Sequence, residues 1–172
     1  MAHASLDAPS PWVLRWASLV ARGPVLDVAS GAGRHAKLFA ARGLETVAVD
    51  REPQAIPGVK FVQADLEDGS PWPFAGQRFG GIVVTNYLHR PLLPAIAGAL
   101  ADGGVLLYET FMVGNERFGK PSNPDFLLRP GELVRAFAEL TVVAFEQGTT
   151  GKAVLQRICA IRGDASSARI AA

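Results

Sequence analysis

Asp27-Val28-Ala29-Ser30-Gly31-Ala32-Gly33-Arg34-His35-Ala36 is the stretch from which the rest of the chain can be organised. Upstream lies an apolar run of strand length, Pro24-Val25-Leu26-Asp27-Val28-Ala29. Downstream, His35, Leu38, Phe39 and Arg42 fall at helical spacing, and Gly43 follows as a left-handed terminator. Strand, glycine turn and helix open a β-α-β unit. Glycines in such a turn let the backbone come close to a bound molecule, and the free N–H groups at the helix start favour polar or negative groups. Ser30, Gly31, Gly33 and Arg34 are therefore candidate ligand contacts. The spacing Gly31-x-Gly33-x-x-Ala36 also fits a dinucleotide-binding turn, so the turn alone does not choose among nucleoside ligands.

Working outward, four further runs read as strands: Glu45-Thr46-Val47-Ala48-Val49-Asp50, Lys60-Phe61-Val62-Gln63-Ala64-Asp65, Ile82-Val83-Val84-Thr85-Asn86 and Val105-Leu106-Leu107-Tyr108-Glu109-Thr110. The last two are each entered through a Gly-Gly pair, which suits a turn before a buried strand. Ser10-Pro11 opens an early helix, with serine as cap, proline in the first turn, and Trp12 and Trp16 one turn apart. Residues 91–101 and 130–140 supply two more helices. Apolar strands alternating with helices predict a doubly wound α/β fold, its mostly parallel sheet covered on both faces. The link from Asp50 to Lys60 carries Pro53 and Pro57 and is short for a parallel crossover, so at most one helical turn is expected there. Residues 113–128, rich in Gly, Asn, Pro and charge, read as either a functional lid or a disordered insertion, with the lid favoured. In it Asn115, Arg117 and Asn123 can contact an acceptor, and Phe118 and Phe126 can shield a site. Thr141-Val142-Val143-Ala144-Phe145 and the run 154–161 are joined through Gly148-Thr149-Thr150-Gly151-Lys152, too short for a helix, and predict an antiparallel hairpin.

Composition narrows the class. The 172 residues are 49% apolar and carry a formal charge of +1, enough for one packed core. One domain over 1–172 is expected, with its core at about 10–162 and a flexible tail at 163–172. The near balance of basic and acidic residues argues against a nucleic-acid substrate and toward a small-molecule acceptor, or else a protein one. Cys159, the single cysteine, lies in an apolar run and reads as a buried small hydrophobe, and His3, His35 and His89 are too scattered for zinc. No metal site is expected. The N-terminus shows no basic head followed by an apolar stretch, and no run approaches the roughly 18 apolar residues of a membrane helix. The expectation is a soluble, cytoplasmic protein that makes no membrane contact; nothing in the residues bears on oligomeric state.

Asp50 closes the second strand about 20 residues beyond the glycines, where a carboxylate can accept bonds from both ribose hydroxyls. Arg51 follows it. Asp65 closes the third strand in the same way and can take an adenine amino group while Leu66 packs on the ring. With these residues in place, the chain from about Pro24 to Ile161 resembles the class I S-adenosylmethionine-dependent methyltransferases, of the compact kind that includes the tellurite-resistance-type enzymes. The resemblance implies S-adenosylmethionine as cofactor and a Rossmann-like seven-stranded sheet ending in an antiparallel hairpin. It implies that Asp27 helps hold the methionine part and that Asp50 and Asp65 take the ribose and the adenine side. Ala29 stands where the family's first turn glycine is usual; Gly31 and Gly33 match the other two.

The fourth strand runs into Thr85-Asn86-Tyr87-Leu88-His89-Arg90, where such enzymes place groups beside the transferring methyl. Asn86 and Tyr87 are candidates to line that site, and His89 is a candidate base with an ordinary pKa of about 6.5. The segment lacks the Asn- or Asp-Pro-Pro-aromatic signature of the family's amino-group enzymes acting on adenine or glutamine. Of Tyr108 and Glu109, which alternate faces, one is expected to reach the crevice. Arg34 is a candidate partner of the methionine carboxylate. Two rival readings share these residues: an NAD(P)-dependent oxidoreductase, using the same turn and Asp50, and a non-catalytic cofactor-binding module.

Overall fold

The computed structural model describes residues 7–172; residues 1–6, with His3, lie outside the described part. Seven strands form one sheet: β1 (Val25–Val28), β2 (Thr46–Asp50), β3 (Lys60–Gln63), β4 (Phe79–Thr85), β5 (Leu100–Phe111), β6 (Thr141–Thr149) and β7 (Val154–Ile161), in the order β3-β2-β1-β4-β5-β7-β6. The first five strands are parallel. β7 then enters antiparallel to β5 and pairs on its other edge with β6, so the expected hairpin closes the sheet with its second strand innermost.

Alternation along the strands sends side chains to two cores. Ile82 and Val84 of β4, with Leu106 and Tyr108 of β5, pack on one face under α3 (Leu93–Gly98) and α4 (Glu132–Ala136). Val83, Val105 and Leu107 turn to the other face, against Trp12, Val13 and Trp16 of α1 (Pro11–Trp16) and Phe39 of α2 (Arg34–Ala41). Cys159 is buried in that second core, as its sequence setting suggested. β1 is buried along its whole length because it lies mid-sheet and is covered on both sides.

The α1 cap is as the sequence implied: Ser10 accepts from the backbone N–H groups of Trp12 and Val13. Other boundaries differ for physical reasons. The glycine pair before the fourth strand is not a turn but part of β4, where it lets residues 20–22 press against the sheet. A Cβ on Gly80 would stand 2.0 Å from the Arg22 carbonyl oxygen, and one on Gly81 would stand 2.6 Å from Val20 Cγ1. The strand at Asp65 stops two residues early, at Gln63. The helices expected over 91–101 and 130–140 shrink to α3 and α4, since Leu100 is drawn into β5 opposite Phe79 and Phe137 leaves helical geometry at φ −111°, ψ 34°. No helix forms between β2 and β3, in keeping with the two prolines there.

Residues 113–128 contain two short 3₁₀ turns, Asn115–Arg117 and Pro124–Phe126, tied to the body by a bridge between Met112 and Leu128. The tail carries another, Ala165–Ser167, capped by Asp164. No helix among the described residues is long and apolar enough to cross a membrane.

Candidate active site

The strand order reverses between β1 and β4, and the crevice beyond the carboxyl ends of such strands is where α/β sheets take ligands. A cleft of roughly 470 Å³ opens there, lined by Ala29 after β1, Asp50 and Arg51 at β2, Asp65 and Leu66 after β3, and Asn86 and Tyr87 after β4. Seven of the residues singled out from sequence therefore meet in one cavity. Two of them hold backbone conformations rare for side-chain-bearing residues, Ala29 at φ 52° and Asn86 at φ 53°. Such strain concentrates at binding sites, where the surrounding fold enforces it. Here both residues turn the chain away at the point where β1 and β4 separate.

Asp50 is fixed by two backbone donors, the Gly31 N–H to Oδ2 at 2.8 Å and the Glu52 N–H to Oδ1 at 3.0 Å. The glycine turn thus orients the carboxylate across the cleft. Asp65 accepts from the Glu67 N–H at 2.9 Å. Tyr87 is half-buried beside Glu67, Asp65 and Asp50; desolvation first and these carboxylates second push its phenol well above the usual range, so it stays protonated and able to donate.

Other candidates take different places. Asp27 lies beneath the turn, 2% exposed, accepting the Ala36 N–H at 3.0 Å in the first turn of α2. Burial raises its pKa to about 7, against the lowering effect of that hydrogen bond and of Arg34. Ser30 donates to the Gly31 carbonyl oxygen, and Gly33 makes room for Ile56, whose Cδ1 would be 2.5 Å from a Cβ there. Arg34 reaches away, to the Ala8 carbonyl oxygen at 3.0 Å. Ser30, Gly31, Gly33, Arg34 and Asp27 thus shape the turn without lining the cleft. His89 also stands off the lining, its Nδ1 3.1 Å from Glu67 Oε1.

Of the adjacent pair on β5, neither side chain reaches the cleft. Tyr108 donates to the Tyr87 carbonyl oxygen at 2.8 Å and supports it from below. Glu109 faces α1, accepting from Ser10 Oγ at 2.9 Å and pairing with Arg157. His35 is buried and accepts from the Ser10 N–H through Nε2, and burial holds its pKa down near 4. In the lid, Asn115 is buried and bonds to Pro121 and Val154, and Asn123 caps the Pro124–Phe126 turn, so both polar groups are used internally. Arg117 bonds to the Gly114 carbonyl oxygen. Phe118 and Phe126 are both exposed, and of the two only Phe126 lines the cleft.

Sequence reasoning missed Ala64, Glu67, Leu88, Thr110, Phe111 and Pro121, which complete the lining. Arg90 was also missed: its guanidinium grips Glu132 at 2.6 and 3.1 Å and the carbonyl oxygens of Asp125 and Leu127 at 3.0 and 2.9 Å, bracketing Phe126. A basic residue just after a strand-end motif was the only local sign of it.

The model of the methyltransferase-domain family matches residues 26–107, from β1 into β5, and so includes most of the residues that line the cleft, with Thr110, Phe111, Pro121 and Phe126 beyond it. Over these residues, a little under half of the chain, the sequence matches the methyltransferase-domain family. The likeness to class I S-adenosylmethionine-dependent methyltransferases drawn from the sequence is therefore met by a family model over this stretch and by the fold of the solved structures. TehB from Haemophilus influenzae superposes with a TM-score of 0.68 at 13% identity, over 88% of this chain and 61% of that one. The chain thus spans about three fifths of that protein's length. The N-methyltransferase NodS from Bradyrhizobium japonicum WM9, in complex with S-adenosyl-L-homocysteine, gives a TM-score of 0.65 at 18% identity, covering 88% of this chain and 84% of that one. The glycopeptide N-methyltransferase MtfA, in complex with (S)-adenosyl-L-methionine, gives 0.60 at 20% identity, covering 88% and 86%. These neighbours share the fold of this chain. No curated protein sequence matches the chain.

Proposed function

We propose that the protein binds S-adenosylmethionine in the cleft at the β1–β4 switch and transfers its methyl group to a small-molecule acceptor. The observation that carries this reading is the convergence of Ala29, Asp50, Asp65 and Asn86, from four strand ends, on one cavity of roughly 470 Å³, a size within the range of small-ligand pockets. The donor set suits an adenosine. Asp50, already held by two N–H groups, has lone pairs left for a ribose diol. Asp65 can accept from an adenine amino group, with Ala64 and Leu66 as apolar walls for the ring and Arg51 at the rim. Asp27, Ser30, Gly31, Gly33 and Arg34 act through the turn: they set its course and, through the Gly31 N–H, the direction of Asp50.

When bound, the cofactor supplies a methyl carbon already activated on a sulfonium. What remains for the chain is to align, desolvate and, where needed, accept a proton. Asn86 and Tyr87 line the cleft just beyond β4, and Tyr87, kept protonated, can donate to an acceptor. Phe111, Pro121 and Phe126 exclude water from the far side. A cavity of roughly 470 Å³, with Pro121 and Phe126 in its lining, favours a small acceptor over a folded protein or a nucleic acid. The N-methyltransferase neighbours support the same class of chemistry.

Calorimetric titration with S-adenosylmethionine and with NAD tests the reading. S-adenosylmethionine is expected to bind, and Asp50→Ala to weaken it by about 1–3 kcal/mol, the cost of deleting a charged hydrogen-bond partner. NAD binding without S-adenosylmethionine binding would overturn it in favour of an oxidoreductase.

A further inference from the structure

Resting on that reading, we propose that the methyl acceptor is an amine carried on an aromatic or apolar body, and that Glu67 receives its ammonium group and takes its proton. Two features of the cleft converge on this chemistry. Its walls hold three carboxylates, Asp50, Asp65 and Glu67, against one guanidinium, Arg51, so the cavity favours a cationic guest and repels an anionic one. At the lid end Tyr87, Phe111, Pro121 and Phe126 form an aromatic and apolar enclosure, the surface that accommodates both a flat body and a positive charge over ring faces. Thr110, 1% exposed, also lines the cavity.

Glu67 is the carboxylate at this end that is free to act. It lines the cavity beside Tyr87, and His89 Nδ1 stands 3.1 Å from its Oε1, which restrains the side chain through one oxygen. His89 is thereby a positioning residue. Phe126 owes its place to Arg90, which bonds to the carbonyl oxygens on both sides of it.

The step balances without any further reagent. The entering ammonium gives one proton to the Glu67 carboxylate, and the nitrogen lone pair forms a bond to the methyl carbon as the carbon–sulfur bond breaks. Positive charge passes from sulfur to nitrogen, sulfur departs as a neutral thioether, and Glu67 returns its proton to water at the rim.

Benzylamine and benzoate, identical in body and opposite in charge, are the probes, with binding followed by ligand-observed NMR on the intact protein saturated with S-adenosylhomocysteine. Benzylamine is expected to bind at least about tenfold more tightly than benzoate, and Glu67→Gln to remove that preference while S-adenosylhomocysteine affinity stays unchanged. His89→Ala should weaken benzylamine binding, and His89→Asn, which keeps a donor, should restore part of it. Equal or tighter binding of benzoate, no binding of either probe, or a Glu67→Gln protein that keeps the preference would overturn the proposal. Failure of S-adenosylhomocysteine to bind would overturn the cofactor reading beneath it, which sets that failure apart from the others.

Discussion

Arg90→Lys isolates the geometry of the lid anchor from its charge. The guanidinium makes two bonds to Glu132 and one each to the carbonyl oxygens of Asp125 and Leu127. An ammonium on a flexible stem can replace one or two of these, but not the planar fork. Hydrogen bonds to charged groups are worth about 1.5–3 kcal/mol each when desolvated. The Arg90 side chain is 35% exposed, however, and Glu132 15%, so screening reduces the sum considerably. The expected net loss is about 1–2 kcal/mol for Arg90→Lys and more for Arg90→Ala, which strands the largely buried Glu132. With a urea m-value of about 1–3 kcal/mol/M for a protein of this size, the unfolding midpoint should fall by roughly 0.5–1 M at constant m. Hydrogen exchange in residues 113–128 should accelerate in the same variant, because the anchor is lost locally first. A midpoint unchanged within about 0.1 M, with exchange in the lid unaltered, would refute the claim that Arg90 holds Phe126 over the cleft.

Two further outcomes follow from buried groups. Gly80→Ala places a methyl group against the backbone carbonyl of Arg22, which cannot swing aside, so a loss of at least about 2 kcal/mol in denaturant unfolding is expected; a neutral substitution would mean that residues 20–22 do not press on β4. The pKa of Asp27 is raised by burial from 3.8 to about 7, so the folded state holds its proton more tightly than the unfolded chain. Its stabilising contribution is thus complete below pH 3.8 and is lost as the pH rises toward 7. His35, lowered from 6.5 to about 4, works oppositely, losing stability as the pH falls through that window. Asp27→Asn should leave the His35 behaviour exposed, so that the variant gains on the native protein by up to about 1.4 kcal/mol per pH unit as the pH is raised between the two Asp27 values. A stability difference that does not change with pH would show that Asp27 is not buried as described.

What the amino-acid sequence determined by itself was whatever is written in local periodicity. Apolar strands alternating with helices, the glycine turn after β1 and the tight link between β6 and β7 were each legible in a window of a dozen residues or so, because chain geometry repeats over that range. Asp50 and Asp65 were legible for the same reason: a residue at the carboxyl end of a parallel strand is delivered to the switch point by the fold itself. Only the tertiary structure decided which polar groups remained free once there. Arg34 and Asp27 were legible as candidate contacts; that Arg34 bonds to a backbone carbonyl at Ala8 and Asp27 accepts from the first turn of α2 was not. Glu67, Thr110, Pro121 and the clamp of Arg90 on the lid come from segments far apart in the chain, and no local pattern marks their meeting. Hydrogen-bond partners and burial depend on what packs against a side chain from elsewhere, and that is settled when the sheet closes.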